Sequence, residues 1–226
     1  MNFDVIVAGA GPAGSAAARE CAQRGLSTLC IEEHGTIGYP VQCAGLLSTA
    51  AFDECRIASE RSVLNKVTGA RVKSGAGTEL LIDAKVTKAV VVDRGTLDHE
   101  MAEAAANAGA EFRLKTSVYD VRGTTAFTRG VNGPEEIGFK VLIAADGPRS
   151  SLARLYGMER ARTFLAGIQA DMPGDCDPRY VEIYPDASPE FFGWSIPTGP
   201  GRIRVGLCGR TSYTEVFNRN SAPAFA

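Results

Sequence analysis

A glycine-rich hexapeptide near the amino terminus is the first set of residues whose types and spacing predict chemistry. Gly9, Gly11 and Gly14 fit the pattern G-x-G-x-x-G, directly after a short apolar run and at the start of an alanine-rich segment. In this pattern the first glycine permits a tight turn, the second lets a pyrophosphate approach the backbone, and the third lets a helix pack closely on a strand. The free N–H groups at the start of that helix favour a bound anion.

An acidic residue follows at the place where such a site needs one. Glu32 comes directly after the apolar run Ser27–Ile31, and a carboxylate at the end of the second strand accepts hydrogen bonds from an adenosine ribose. The alternative is an ordinary glycine turn and a surface glutamate. Because the strand, the helix and the acid occur in the required order, the sequence predicts a dinucleotide-binding site.

The elements that must position these residues are of two kinds, alternating strands and helices in one part of the chain and successive strands in the other. Phe3–Ala8, Ala13–Arg24 and Ser27–Ile31 predict a β-α-β unit. Strand-forming residues dominate Val67–Asp93, and strand follows strand beyond Gly157. The predicted fold class is therefore α/β, with a Rossmann-like dinucleotide-binding domain over residues 1–66 and 94–156, interleaved with an antiparallel β-sheet domain over residues 67–93 and 157–226.

The composition argues against several classes of protein. The 226 residues carry 24 Lys and Arg against 26 Asp and Glu, a formal net charge of -2, which argues against a nucleic-acid binder. No stretch reaches the ~20 apolar residues of a membrane span, and the first residues lack the basic region of a signal peptide. The 6 cysteines include no C-x-x-C pair, so we expect no zinc ribbon and no other metal site. These features favour a cytoplasmic protein.

Further motifs narrow the choice of dinucleotide. Gly11–Ala18 followed by Glu32 is similar to flavoproteins of the glutathione reductase type. Arg94–Asp98 and Ala145–Pro148 resemble motifs of the aromatic-hydroxylase branch, in which the Asp-Gly segment lies near the cofactor's pyrophosphate. The resemblance implies that the cofactor is FAD and that Asp146 is one of its neighbours. Arg94, at the start of a helix, is either a phosphate partner by its charge or a solvated surface residue.

Two segments resemble one family in particular, the geranylgeranyl reductases. Ile37–Gly45 is similar to the cysteine-containing flavin loop of that family. Phe191–Gly199 is similar to its substrate-side Tyr-x-Trp-x-Phe-Pro motif, with Phe192 in place of the tyrosine and Ile196 in place of the phenylalanine. The resemblance extends over almost the whole chain. It implies an FAD-dependent oxidoreductase that reduces C=C bonds of geranylgeranyl chains, most typically those of archaeal membrane ether lipids.

Carried over position by position, the resemblance implies a set of site residues. Besides the loop glycines, the expected contacts to FAD are Ala13, Glu32, Cys43, Ala44, Leu46 and Arg94, with a backbone contact from Val118 to the adenine, and the expected contacts to the prenyl substrate are Phe192 and Trp194. Cys43 is expected near the isoalloxazine, where its thiol either delivers a proton or tunes the redox chemistry, or is a small residue packed against the ring. Trp194 either walls an apolar pocket or belongs to the core of a sheet, and the two interpretations are compatible.

One departure from the family keeps other functions open. The family has a second flavin motif, Gly-Asp-Ala, in its C-terminal part, and the sequence reaches Ala226 without it, so we expect a chain that lacks this part. The alternatives are an aromatic-type flavin monooxygenase that uses NAD(P)H and oxygen, and a non-catalytic remnant that binds flavin or lipid. The expected partners are a prenylated lipid and an electron donor, which is ferredoxin, NAD(P)H or reduced flavin, with peripheral contact at the inner membrane face and no nucleic acid.

Overall fold

The structure is a computed structural model that describes residues 1–57, 59–159 and 161–210. The chain divides into two compact units. The first unit comprises Met1–Gln42, Cys55–Ser59 and Arg94–Arg162, and the second comprises Cys43–Glu54, Glu60–Asp93 and the chain from Thr163 onward. For Tyr213–Ala226 the sequence predicts at most one short helix followed by a frayed tail, and this segment lies outside the described residues.

A six-stranded sheet with the strand order β8-β2-β1-β11-β10-β9 forms the centre of the first unit. Strands β8, β2, β1 and β11 run parallel, whereas β10 and β9 continue from β11 as an antiparallel meander. Numbered along the whole chain, the elements of this unit are β1 (Asn2–Ala8), α1 (Pro12–Gln23), β2 (Thr28–Ile31), α3 (Arg94–Asn107), β8 (Glu111–Arg113), β9 (Ser117–Arg122), β10 (Thr125–Gly130), β11 (Gly133–Ala144) and α4 (Ser151–Leu155).

Both faces of this sheet are buried. Along β1, Ile6 and Ala8 enter one hydrophobic cluster, whereas Val5 and Val7 enter another that includes Ala18 of α1. Successive side chains of a strand point to opposite faces, so the apolar run at the amino terminus supplies two cores at once. This burial on both faces is typical of a parallel sheet in a doubly wound fold, and it confirms the predicted Rossmann-like class.

The second unit contains two sheets. Its large sheet has the order β12-β15-β14-β13-β5-β6, and a small sheet has the order β3-β7-β4. The large sheet is antiparallel except for the pair β13 and β5, which runs parallel. The elements are β3 (Leu46–Ser48), α2 (Thr49–Glu54), β4 (Val63–Val67), β5 (Gly69–Lys73), β6 (Glu79–Asp83), β7 (Ala89–Val92), β12 (Ala166–Pro173), β13 (Tyr180–Tyr184), a 3-10 turn (Pro185–Ala187), β14 (Gly193–Gly199) and β15 (Arg202–Gly209).

The two compact units differ from the predicted division of the chain at three places. Residues 43–54 and 60–66 lie in the second unit, because β3 and β4 both pair with β7. Residues 157–162 lie in the first unit. The sequence also predicts Thr96 as the N-cap of the next helix, but α3 begins at Arg94, so Thr96 lies within the helix.

No helix in the described part of the chain is long and apolar enough to cross a bilayer.

Candidate functional site

The glycine loop between β1 and α1 has no room for side chains at two of its three glycines. Gly9 has a φ of +101°, and a Cβ on this residue would lie 2.3 Å from the carbonyl oxygen of Ala145. A Cβ on Gly14 would lie 1.8 Å from the carbonyl oxygen of Gly9. At Gly11, in contrast, a Cβ would meet no other atom of the described residues within 4 Å. The loop is therefore closed against the sheet at Gly9 and Gly14 and open at Gly11.

The start of α1 has the character of an anion site. The N-cap is Gly11, which has no side chain that could accept from the first N–H groups, and the first turn contains no acidic residue. The first N–H groups of an α-helix have no intrahelical acceptor, and the helix dipole adds partial positive charge there. Together with the open backbone at Gly11, this arrangement fits the diphosphate of a dinucleotide such as FAD.

Glu32 fastens the glycine loop to the end of β2. One carboxylate oxygen, Oε2, accepts a hydrogen bond from the Ala10 N–H at 2.8 Å. The other, Oε1, accepts from the His34 N–H at 2.9 Å and lies 2.7 Å from His34 Nδ1. Glu32 is only 9% exposed. Because a carboxylate offers about four lone-pair sites, Glu32 shapes the loop and retains acceptor capacity for a ribose hydroxyl.

Val118, the predicted adenine contact, lies close to Glu32 in the structure. The Thr116 N–H donates to the carbonyl oxygen of Glu32 at 2.9 Å, and Val118 lies two residues further on, in β9. The Val118 side chain is buried in the hydrophobic core. Its backbone is therefore the part that remains for a ligand, as the family resemblance implies.

Asp146 acts as a local cap in the structure. Its Oδ1 accepts from the Ser150 hydroxyl at 2.5 Å, and its Oδ2 accepts from the N–H groups of Ser151 and Leu152 at 2.8 and 3.1 Å. Burial raises the pKa of this carboxyl, but these hydrogen bonds outweigh it and hold the pKa below its usual range. The Ala145–Pro148 segment, which contains Asp146, lies beside the glycine loop, since a Cβ on Gly9 would come within 3.2 Å of Asp146 Cα.

Arg94 is held in an ion pair inside its own motif. Its Nε and Nη2 donate to the carboxylate of Asp98, one turn later in α3, at 2.9 to 3.1 Å. Both side chains are largely buried. Burial raises the pKa of Asp98, and Arg94 offsets this only in part. Arg94 is therefore not a solvated surface residue, and the i, i+4 spacing of the pair is typical of an ion pair on one helix.

The cysteine loop is anchored within the first unit at its beginning. A Cβ on Gly38 would lie 2.8 Å from the carbonyl oxygen of Gly95, and a Cβ on Gly95 would lie 2.7 Å from the ring of Tyr39. The backbones of the loop and of the first turn of α3 therefore contact each other at Gly38 and Gly95, and a side chain at either glycine would separate them.

The end of the same loop belongs to the second unit. Cys43 is partly buried, and its Sγ accepts a weak hydrogen bond from the Gly45 N–H at 3.4 Å. Ala44 packs against the apolar cluster around Val91 and Ile196, to which Trp194 also belongs. Leu46 follows in β3, paired with Val91 of β7. The structure thus brings the Cys43 segment and Trp194 to one apolar cluster.

Trp194 is the centre of an aromatic group. Phe191 and Phe192 stack with their ring centroids 4.3 Å apart, and Phe192 meets Trp194 edge-on at 6.3 Å. The indole covers Gly206, where a Cβ would lie 2.4 Å from the ring. Trp194 Nε1 is buried without a hydrogen-bond acceptor in the described part of the chain, although buried indole N–H groups normally have a partner.

An apolar row extends from Trp194 across the large sheet. Trp194 is directly opposite Ile183, Ile183 is opposite Val72, and Val72 is opposite Leu80. Directly opposed residues share a face, and neighbouring strands lie ~4.8 Å apart, so the row is about 14 Å long. It ends at the outer strand with Leu80, which is 58% exposed. We call these four residues the apolar row.

The predicted site residues are divided between the two units. The first unit contains Gly9, Gly11, Ala13, Gly14, Glu32, Arg94, Val118 and Asp146, and the second contains Cys43, Ala44, Leu46, Phe192 and Trp194. Sequence reasoning missed Gln169 and Arg204, whose side chains donate to the carbonyl oxygens of Cys43 and Ala44. The two partners are separated by 126 positions in the first contact and by 160 in the second, so no local sequence pattern predicts them.

Comparisons with known proteins agree with this geometry. The family model described as FAD binding domain matches residues 2–173. Digeranylgeranylglycerophospholipid reductase 2 of Methanothermobacter thermautotrophicus is 33% identical over 219 residues, which are 92% of this chain and 57% of that protein. The digeranylgeranylglycerophospholipid reductase of Thermoplasma acidophilum is 34% identical over 96% of this chain and 59% of its own length.

A solved structure shows the same arrangement of elements. The crystal structure of a geranylgeranyl bacteriochlorophyll reductase-like protein from Thermoplasma acidophilum superimposes with a TM-score of 0.90 at 30% identity, covering 98% of this chain and 62% of that one. The chain thus spans somewhat more than half the length of these relatives.

Proposed function

The chain belongs to the FAD-binding domain family, and from this premise we propose that it works in an FAD-dependent oxidoreductase that reduces C=C bonds of geranylgeranyl chains in membrane ether lipids. The relatives of that name match over most of this chain but extend well beyond it. The activity and the lipid are therefore parts of the proposal.

The first unit supplies the binding of FAD in this proposal. The backbone at Gly11 and the start of α1 hold the diphosphate, Glu32 accepts from the ribose, and the Val118 backbone meets the adenine. When bound and reduced by the electron donor, the flavin would supply the hydride for the C=C bond. The residues of the loop orient the dinucleotide, and they do so with geometry already set by the contacts of Gly9, Gly14 and Glu32.

The second unit supplies the surface for the prenyl chain. Phe192 is 36% exposed and stands edge-on to Trp194, from which the apolar row leads to the sheet edge. A polyprenyl chain is apolar, long and methyl-branched, so it gains from a long apolar strip rather than from a compact polar pocket. The observation that carries this part of the proposal is the continuous register from Trp194 to Leu80 on one face.

Cys43 is the proposed proton donor. Reduction of a C=C bond needs a hydride on one carbon and a proton on the other, and a thiol is a suitable acid when it lies next to the reacting atoms. Support comes from its position at the end of the cysteine loop, close to the apolar cluster that contains Trp194. The competing interpretation, a small residue packed against the flavin ring, leaves the proton to water.

The test uses the purified chain loaded with FAD. The flavin is reduced with dithionite without oxygen, a digeranylgeranyl glycerophospholipid is added, and the product is analysed by mass spectrometry while flavin reoxidation is followed by absorbance. We expect products that have gained a pair of hydrogens for each reduced bond. In Trp194→Ala this activity should fall at least tenfold, whereas Phe164→Ala, an exposed aromatic residue of the same unit, should retain it.

Two other outcomes would replace the proposal. A hydroxylated product that forms only with oxygen and NAD(P)H would identify a monooxygenase. A colourless protein that does not quench flavin fluorescence on titration would identify a non-catalytic remnant. Parallel reactions driven by reduced ferredoxin and by NAD(P)H identify the electron donor, and co-sedimentation with vesicles of anionic lipid tests peripheral contact with the membrane.

A further inference from the structure

Two side chains of the large sheet hold consecutive carbonyl groups of the cysteine loop. Gln169 Nε2 donates to the carbonyl oxygen of Cys43 at 3.1 Å. Arg204 Nη1 donates to the carbonyl oxygen of Ala44 at 2.9 Å. Both contacts fall within the second unit, and both run from a strand to a loop that has few backbone partners of its own. The loop is thereby fastened immediately after the thiol-bearing residue.

Arg204 is itself fixed by a carboxylate. Its Nε and Nη2 donate to the two oxygens of Asp171 at 2.7 and 3.0 Å, a bidentate geometry that sets the plane of the guanidinium. Arg204 is 6% exposed, and Nη1 also lies 3.3 Å from the carbonyl oxygen of Val92. With its plane set by Asp171, the guanidinium can direct Nη1 only toward the loop and β7.

The next residue, Gly45, brings the loop backbone into close contact with β7 and Arg204. Gly45 has a φ of +73°, and a Cβ on it would lie 2.3 Å from the Val92 carbonyl oxygen and 3.0 Å from Arg204 Nη1. The Gly45 carbonyl accepts from the Val92 N–H at 2.7 Å. The backbone therefore turns sharply against β7 just after Cys43, and the sheet side chains determine where this turn begins.

The donors stand in register with Trp194. Gln169 is directly opposite Gly206, and Gly206 is directly opposite Trp194, whose indole covers it. Asp171 is opposite Arg204 in the neighbouring pair. The strands that hold the backbone of Cys43, β12 and β15, are therefore neighbours in the sheet, and β15 pairs with β14, which carries Trp194 at the aromatic end of the apolar row.

We propose that Gln169 and Arg204, the latter oriented by Asp171, are positioning residues for Cys43: they fix the loop backbone so that the thiol is presented at one place relative to Trp194. Neither residue touches a reacting atom. The importance of that place for catalysis rests on the proposed function, whereas the fastening itself is a property of this chain alone.

The primary test measures the reactivity of the thiol without substrate. The full chain is treated with iodoacetamide, and alkylation of Cys43 is followed by peptide mass spectrometry, with Cys176 of the same unit as the internal reference. In Gln169→Met, which keeps the shape but cannot donate, and in Arg204→Lys, which cannot form the bidentate pair, we expect Cys43 to react at least threefold faster while Cys176 is unchanged. Arg202→Met, on the same strand and exposed, is the matched control and should leave both rates unchanged.

The activity readout separates this proposal from the proposed function. In the same variants kcat for lipid reduction should fall with KM and FAD affinity unchanged, because only the presentation of the thiol has moved. Unchanged Cys43 alkylation in Gln169→Met overturns the positioning role even if the parent protein reduces the lipid. If Cys43 is alkylated faster in Gln169→Met than in the parent protein, but the parent protein reduces no prenyl lipid, the proposed function is overturned and the positioning role stays intact. If Arg204→Lys also raises the Cys176 rate, it has unfolded, and Gln169→Met alone decides.

Discussion

Glu32 is the residue at which folding and cofactor binding are most directly linked. Its carboxylate accepts two backbone N–H groups, from Ala10 and His34, and is buried. In Glu32→Gln one of the two acceptor oxygens becomes an NH2 group, so a donor faces a donor. The chain should therefore lose stability even without FAD, in addition to any loss of affinity for the ribose.

The size of the effect follows from the contacts. Leaving one buried N–H without its charged acceptor costs ~1–3 kcal/mol. For a chain of 226 residues, each kcal/mol corresponds to a change in Tm of ~2–4 °C, so we expect Tm to fall by about 2–12 °C. Glu33→Gln is the matched control, because it makes the same chemical change at the neighbouring, exposed position.

The assay is thermal unfolding followed by circular dichroism, with and without FAD, together with calorimetric titration of FAD. Glu32→Gln should lower the Tm of the FAD-free protein and weaken FAD binding, and Glu33→Gln should do neither. If the FAD-free Tm is the same in both variants, Glu32 does not fasten the loop. If only the FAD affinity is the same, Glu32 fastens the loop but does not contact the ribose.

Four further substitutions test the rest of the site. Gly14→Ala should destabilise the FAD-free protein and abolish FAD binding, since its Cβ would lie 1.8 Å from a carbonyl oxygen, whereas Gly11→Ala, with open space around its Cβ, should keep its Tm and lose only FAD affinity; equal Tm losses would contradict the loop geometry. Asp146→Ala should lower stability by ~1–2 kcal/mol, the scale of a lost helix cap. Because folding lowers the pKa of Asp146, its contribution is complete above the unfolded pKa of ~3.9 and is lost as pH falls below it; urea titrations at pH 7 and pH 3 should therefore show a smaller difference between Asp146→Ala and the parent at pH 3. Cys43→Ser should retain FAD, measured by absorbance, but reduce the lipid more slowly, because a hydroxyl is a far weaker acid than a thiol; full activity would reduce Cys43 to a packing role.

The sequence was sufficient where chemistry and local structure coincide. The strand, glycine loop, helix and acid of the first β-α-β unit are contiguous, so one pattern predicted both the local fold and a loop whose geometry fits a dinucleotide. Strand β10 and the first half of β11 were not predicted, because they carry Thr, Gly and charged residues on a partly exposed surface and have no continuous apolar run. The hydrogen bonds from Gln169 and Arg204 to the cysteine loop could not be predicted, since they depend on the pairing of strands that are far from the loop in the sequence.

The alternation of side chains along β14 and β15 has a consequence for insertions and deletions in the connecting turn. Trp194 faces Gly206 and Ile196 faces Arg204, and a bulge between Pro197 and Gly199 already absorbs one residue near the turn. Because the side-chain period of a strand is two, a slip of β15 by one residue along β14 would pair Trp194 with Val205 and exchange the guanidinium for an isopropyl group on the face toward the cysteine loop. Deleting Thr198 removes the bulge and keeps Trp194 opposite Gly206, so this one-residue deletion should be tolerated, whereas a one-residue deletion inside β15, which shifts the register, should not.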